Sequence, residues 1–275
     1  MIPENANLSD ENAERLRTKN TNRDFLTRLN IFKNHNGLRR GNMHLFTAPT
    51  GVGKSTFVRT AIIDFITNNP KKKILLWLTE ETREDFEQAM AHGLPHNFKY
   101  EDVLHVMSEQ SLSVNDTYDD VKKYVEEAVE YYNYDLVILD NITTSKLYLS
   151  NGGKNQEHAA AWLKTFCKRN LALLVIAHTG SNVTNSSHKL IDENDVRGNK
   201  TLPNLVEFLY VLQPFYVGDR LLQVVTLFKS RNQEKHARYV GLTYMKETKT
   251  FSDQFIPFEE MKKIYQKRNQ LNDDK

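Results

Sequence analysis

From Met43 onward the chain alternates short apolar runs with amphipathic stretches. The runs at 43–48, 74–79, 103–107, 136–140, 171–177, 208–212 and 222–228 are rich in β-formers and predict strands. Helical periods separate the early ones, at 56–67, 83–90, 118–131 and 159–169. Around the third period Val121, Val125, Ala128 and Tyr132 recur at three-to-four spacing and share one helical face. Continuous runs such as Leu136-Val137-Ile138-Leu139 suit strands covered on both faces of a parallel sheet. Strand–helix alternation followed by late strands separated only by turns predicts an α/β fold, a mostly parallel sheet with a hairpin-like antiparallel extension.

The first forty residues lack this patterning and are polar and rich in Asn. Leu8-Ser9-Asp10 can cap a helix over 10–19, a second helix is expected over 22–32, and Asn34-His35-Asn36-Gly37 reads as a turn. With so few apolar positions the segment reads either as a frayed tail or as an arm that packs on a neighbouring subunit. The other end, 259–275, is charged, with Met261, Ile264 and Tyr265 on one side of an expected tail helix. The expected organisation is an arm over 1–36, one globular domain over 37–258 and a tail over 259–275.

Composition narrows the partners. The 37 basic and 35 acidic residues nearly balance, which excludes a globally basic nucleic-acid coat. Any nucleic-acid contact must come from a local patch. Cys167 is the only cysteine, so there is no intramolecular disulfide and no zinc ribbon, and a reducing compartment is expected. No apolar stretch approaches the roughly 20 residues of a membrane span, and no signal pattern opens the chain. The expectation is a cytoplasmic chain with no membrane partner.

The strongest local signal is Ala48-Pro49-Thr50-Gly51-Val52-Gly53-Lys54-Ser55-Thr56. It follows a predicted strand and opens a predicted helix, the context that a phosphate-binding loop requires. Gly51 and Gly53 let the backbone wrap so that successive N–H groups point at a phosphate, and the helix adds its positive dipole end. Lys54 would neutralise the β- and γ-phosphates of ATP, or another nucleoside triphosphate, and the Ser55 hydroxyl would ligate Mg²⁺. Ala48 stands where such loops usually begin with Gly.

Three further polar groups end predicted strands. Asp140 closes the run 136–140 and would hold the Mg²⁺ shell from the strand's carboxyl edge. Many P-loop enzymes place the water-polarising base directly after this position, but the residue here is Asn141. The base must come from elsewhere, and Glu80, after Thr79, is the first candidate. Glu81 is the second, with the alternative role of an N-cap or of an acid in the first turn of the following helix. His178 ends the run Leu173-Leu174-Val175-Ile176-Ala177, where an imidazole could sense the γ-phosphate and relay its loss.

With their order and spacing these elements resemble the RecA-like core of replicative hexameric DNA helicases, the DnaB and phage primase-helicase type. That family uses a strand-end Glu as base, a strand-end Asp at the metal and a Gln or His phosphate sensor, matched by Glu80, Asp140 and His178. Glu193-Asn194-Asp195-Val196-Arg197-Gly198-Asn199 resembles the segment bordering its DNA-binding loop, although Asn199-Lys200 departs from the usual Ser-Gly. Lys229-Ser230-Arg231-Asn232 resembles its Lys-X-Arg-Asn, whose Arg reaches the γ-phosphate of the adjacent subunit. Tyr244, before Lys246-Glu247-Thr248, falls where the family packs a residue on the adenine base, and Gly37-Leu38-Arg39-Arg40-Gly41 matches its lead-in to the first strand. The resemblance covers roughly residues 37 to 251.

The resemblance implies a RecA-like P-loop NTPase that forms a homo-oligomer, a hexamer in this family, and encloses single-stranded DNA. Catalysis would fall to Glu80, Lys54, His178 and a trans-acting Arg231, with Lys229 also at the nucleotide. The loop over 179–204, rich in Ser, Asn and Gly with few anchoring apolar residues, would face the channel. Ser181, Asn182, Arg197, Gly198, Asn199 and Lys200 would track the DNA backbone. A separate primase or loader would be a further partner. Two other readings stand beside this one: a RecA-type recombination ATPase forming filaments, and a KaiC-like regulatory ATPase.

Overall fold

Strand β1 (Met43–Ala48) is buried at every position, as are β2 (Ile74–Leu78) and β4 (Leu136–Asp140), which is the mark of strands covered on both faces. The computed structural model describes residues 25–33, 37–94, 100, 102–149, 154–180, 191–198, 200–217, 220–231, 238–254 and 263. Within them β3 (Leu104–Ser108), β5 (Ala172–His178), β6 (Phe208–Val217), β7 (Arg220–Ser230), β8 (Arg238–Met245) and β9 (Thr250–Gln254) complete one sheet. The strand order is β3-β2-β4-β5-β1-β6-β7-β8-β9. Strands β1 to β6 pair in parallel, and β6 through β9 continue as antiparallel neighbours.

Alternation along each strand sends successive side chains to opposite faces. Phe46, Leu76, Ile138, Leu174 and Ile176 join one core, which takes in α1 (Asn30–Lys33), α2 (Lys54–Asn68) and α3 (Arg83–Met90). Leu45, Trp77, Val137, Leu139 and Val175 join the other, with α4 (Tyr118–Tyr132), α5 (Lys146–Leu149), α6 (Gln156–Phe166) and α7 (Thr201–Leu205). Helix α4 starts at a capping box in which Thr117 and Asp120 bond reciprocally. Its buried face is Val121, Val125 and Val129, while Tyr132 of the expected stripe is partly exposed. None of the described helices is long and apolar enough to cross a membrane.

Two expectations need correction. The helix expected over 22–32 is a single turn, α1, preceded by non-helical backbone from Phe25. Distant partners take the N–H groups that a helix would have used: Phe25 N–H bonds Leu38 O, Leu26 N–H bonds Asn69 Oδ1, and Arg28 N–H bonds the Asp64 carboxylate. Phe25, Leu29, Ile31 and Phe32 are buried, so the core begins before residue 37 and any arm is shorter than 1–36. The helix expected over 10–19 and nearly all of the tail over 259–275 lie outside the described residues.

The described parts of the loop over 179–204 are also better anchored than its composition suggests. Ile191, Val196 and Leu202 are buried, Thr179 bridges Val196, and the stretch ends in α7. Strands β8 and β9 went unforeseen because their apolar positions are broken by Gly241 and by the polar ends of both strands.

Candidate active site

Four strand ends meet the phosphate loop at one edge of the sheet. Strand β5 lies between β1 and β4, and β2 flanks β4, so Ala48, His178, Asp140 and Leu78 end in neighbouring rows. The loop between β1 and α2 turns through Gly51 at φ +82° and Gly53 at φ +94°, a region that L side chains rarely adopt. Helix α2 then opens at Lys54, its N-terminus behind the loop. Lys54 Nζ is 3.2 Å from Asp140 Oδ1, and each side chain is 8% exposed. Glycine turns at a helix N-terminus, with a buried lysine beside a strand-end carboxylate, fit a triphosphate and its Mg²⁺. The residues able to hold them are 50–56 and Asp140.

Strand β9 supplies a wall that the motif does not contain. A Cβ built on Gly53 would lie 2.8 Å from Phe251 Cζ, and Phe251 N–H bonds Thr60 Oγ1 of α2 at 2.9 Å. Phe251 in turn meets Tyr244 edge-on, ring centroids 6.0 Å apart. The β8–β9 hairpin therefore brings the candidate base-stacking Tyr244, half exposed, to the side of the loop. Beyond it, Arg59, Asp85, Gln88, Ala89, His92 and Lys249 line a cavity of about 330 Å³ along α2 and α3. Gly53→Ala combines a left-handed φ with this steric conflict, and a fluorescent-nucleotide titration should show about a tenfold or larger loss of ATP affinity. Unchanged affinity would mean that the packing against Phe251 does not shape the cradle.

Just past the end of β2, Glu80 points into a polar cluster. His178 Nε2 is 3.1 Å from Glu80 Oε1 and 3.2 Å from Asn141 Nδ2. Burial pushes the Glu80 pKa up, but hydrogen bonds from Asn141 and His178 and the charge of Lys54 outweigh it and leave it below the usual glutamate value. Glu81 behaves oppositely: burial raises its pKa, Asp140 and Asp85 add to the rise, and Arg59 and Lys54 oppose it. The N-cap of α3 is Thr82, whose hydroxyl accepts from Asp85 N–H, with Glu84 and Asp85 in the first turn. Glu81 therefore fills neither helix role, and Glu80 is the acid in contact with His178.

The remaining candidates separate into two groups. At the same edge Arg197 N–H bonds His178 O at 2.8 Å, and Gly198, at φ +105°, lies against the Tyr148 ring. Arg197, Gly198 and Lys200 are exposed, while Ser181, Asn182 and Asn199 lie outside the described residues. Lys229 and Arg231 are at the opposite edge. Ser230 pairs with Phe208, which pairs with His44 at the start of β1, whereas the phosphate loop follows its end. Lys229 Nζ donates to Pro203 O at 2.7 Å and Arg231 Nη2 donates to Asn204 O, so both cations hold the C-terminal carbonyls of α7.

Sequence reasoning passed over two residues at the site. Asn141 entered only as a missing acid, yet it is fully buried within the Glu80–His178 cluster. Glu109, after β3, accepts from Trp77 Nε1 at 2.8 Å, Ser145 Oγ at 2.6 Å and Lys146 N–H at 2.7 Å, tying β2 to the loop after β4. Partners more than 30 positions away leave no local pattern to read.

The family described as the AAA domain matches residues 12–182. Among solved structures, the crystal structure of a KaiC-like protein from the hyperthermophilic archaeon Pyrococcus horikoshii is similar, with a TM-score of 0.64 and 16% identity. The likeness covers 85% of this chain and 98% of that one, and at this identity it speaks for the fold alone. The chain matches no curated protein sequence.

Proposed function

The chain belongs to the AAA-domain family, a P-loop NTPase with a RecA- and KaiC-like fold, and we propose that it is an oligomeric ATPase that translocates on single-stranded DNA as a ring-forming helicase. The observation that carries the hydrolytic part is the convergence of the Lys54–Asp140 pair and the Glu80–His178 contact at one sheet edge. Glu80 takes the proton of the attacking water. Lys54 and the N–H groups of the loop over 50–56 neutralise the phosphate oxygens. Ser55 would hold Mg²⁺ directly and Asp140 through its water, and the ion when bound supplies charge neutralisation at the β- and γ-oxygens. His178 reads whether the γ-phosphate is present through its contact with Glu80.

The oligomeric part rests on Arg231. Strand β1 separates the two edges by about 16–20 Å at roughly 3.3 Å per residue, too far for Arg231 to serve its own phosphate loop. Its guanidinium therefore completes the site of the next copy, with Lys229 beside it and Tyr244 of the binding copy against the base. Arg197, Gly198 and Lys200, with Ser181, Asn182 and Asn199, would track the DNA backbone, and a primase or loader would be a separate chain. A hexamer is the assembly that the helicase resemblance favours.

Hydrolysis is expected to rise with single-stranded DNA, and a mass measurement is expected to show a closed ring with ATP and Mg²⁺. Hydrolysis and assembly both indifferent to DNA would instead favour a KaiC-like regulatory ATPase, a reading that shares its fold with the Pyrococcus protein.

A further inference from the structure

The residue after Asp140 is where many P-loop enzymes carry their base, and here it is an amide with no solvent exposure. Its orientation is fixed by its neighbours. Asn141 Oδ1 accepts from Thr143 Oγ1 at 2.5 Å, from Thr144 N–H at 3.2 Å and from Thr144 Oγ1 at 3.1 Å. A backbone N–H can only donate, so the atom facing Thr144 is the oxygen and the NH₂ faces the other way. The backbone is pinned as well: Asn141 N–H donates to Thr79 Oγ1 at 2.9 Å, and that hydroxyl donates to Asn141 O at 3.0 Å. Thr79 is the residue immediately before Glu80.

On the free side of the amide lie His178 Nε2, at 3.2 Å, and the Glu80 carboxylate. Nε2 is also 3.1 Å from Glu80 Oε1, and an ionised carboxylate only accepts, so Nε2–H donates there. An amide hydrogen cannot bond to a nitrogen that is itself donating, and the amide's useful acceptor is Glu80. Thus a donor from the end of β5 meets a carboxylate held by the end of β2, and the amide after β4 turns its NH₂ toward the same pair, 3.2 Å from that donor.

We propose that Asn141 is a positioning residue for hydrolysis: its buried amide, with His178, holds the Glu80 carboxylate at the orientation from which it takes the proton of the attacking water. The position that is a base in other P-loop enzymes has become the holder of a base supplied by the neighbouring strand. This rests on the reading of Glu80 as the base.

The test is Asn141→Asp, an isosteric change that keeps the acceptor for Thr143 and Thr144 but turns the donor facing Glu80 into a second carboxylate. A residue that only braced its own loop would tolerate it. The expected result is a fall in kcat of about 10- to 100-fold, the range for a lost hydrogen bond to a charged group, with fluorescent-ATP affinity and melting temperature close to wild type. Asn141→Leu, which carries no charge into the site, should show the same split between kcat and affinity and decides the matter if the aspartate variant does not fold. In a Glu80→Gln background neither substitution should lower the residual rate further. A folded variant that keeps kcat within about twofold, or one whose loss is undiminished in that background, overturns the assignment. A Glu80→Gln variant with wild-type hydrolysis would instead remove the base reading itself, so the two failures are distinct.

Discussion

A Glu80→Gln variant is expected to lose about 10²- to 10⁴-fold in steady-state ATP hydrolysis while binding ATP nearly as well as wild type. Glutamine has the same shape and leaves the Lys54–Asp140 pair and the loop over 50–56 untouched, so the nucleotide keeps its principal contacts. What it cannot do is accept the proton of an attacking water. Glu81→Gln is the matched control. Its carboxyl is pushed toward the protonated form by burial and by Asp140, and it lies beside Arg59 without a contact to His178 among the described residues. It should hydrolyse ATP at a near wild-type rate. Single-turnover hydrolysis and a binding titration on both variants separate the roles, and an inactive Glu81→Gln beside an active Glu80→Gln would reverse the assignment.

The parts of this site that were legible in the sequence are those whose chemistry is local. Gly51, Gly53, Lys54 and Ser55 are contiguous, so the strand–loop–helix context and the charge sit within one window. Asp140 and His178 were legible because each ends a continuous apolar run, and a buried parallel strand must release its chain at an edge. Glu80 against Glu81 could not be decided that way, because one residue of rotation at a strand end exchanges the two. The strand order sets β2 next to β4 and lets His178 reach Glu80, a contact that Glu81 lacks among the described residues and that favours Glu80.

What the sequence hid depends on pairings across long separations. Phe251 presses on Gly53 from 198 positions away, and β9 carries too few apolar residues to announce itself. The same is true of Phe25 and Phe32, whose segment looked too polar to hold to the core. It is held by side-chain partners on α2 and just after it, Asp64 and Asn69, that accept from its backbone N–H groups. The placement of Lys229 and Arg231 follows from β7 running antiparallel to β6, which carries its last residues back to the start of β1.

Arg231→Ala is expected to reduce hydrolysis by about 10³- to 10⁵-fold in the assembled protein, with little change in nucleotide affinity. Charge gathers on the γ-phosphoryl oxygens in the transition state, and a guanidinium placed there gives two aligned hydrogen bonds that the ground state uses less. In the single chain Arg231 instead caps α7 through Asn204 O. That helix ends the crossover that begins where Arg197 N–H bonds His178 O. Arg197 thus touches the proposed phosphate sensor and Asn204 the proposed finger, only seven positions apart in the chain. Lys229 still holds Pro203 O in the variant, and its melting temperature should stay near wild type. Mixing gives the decisive observation. Arg231→Ala subunits have a sound phosphate loop but a missing finger, and Lys54→Ala subunits have the reverse, so mixed oligomers should recover a measurable fraction of the activity absent from either alone. Full hydrolysis by Arg231→Ala, or no recovery on mixing once both variants are seen to co-assemble, would mean that the site is completed within one chain.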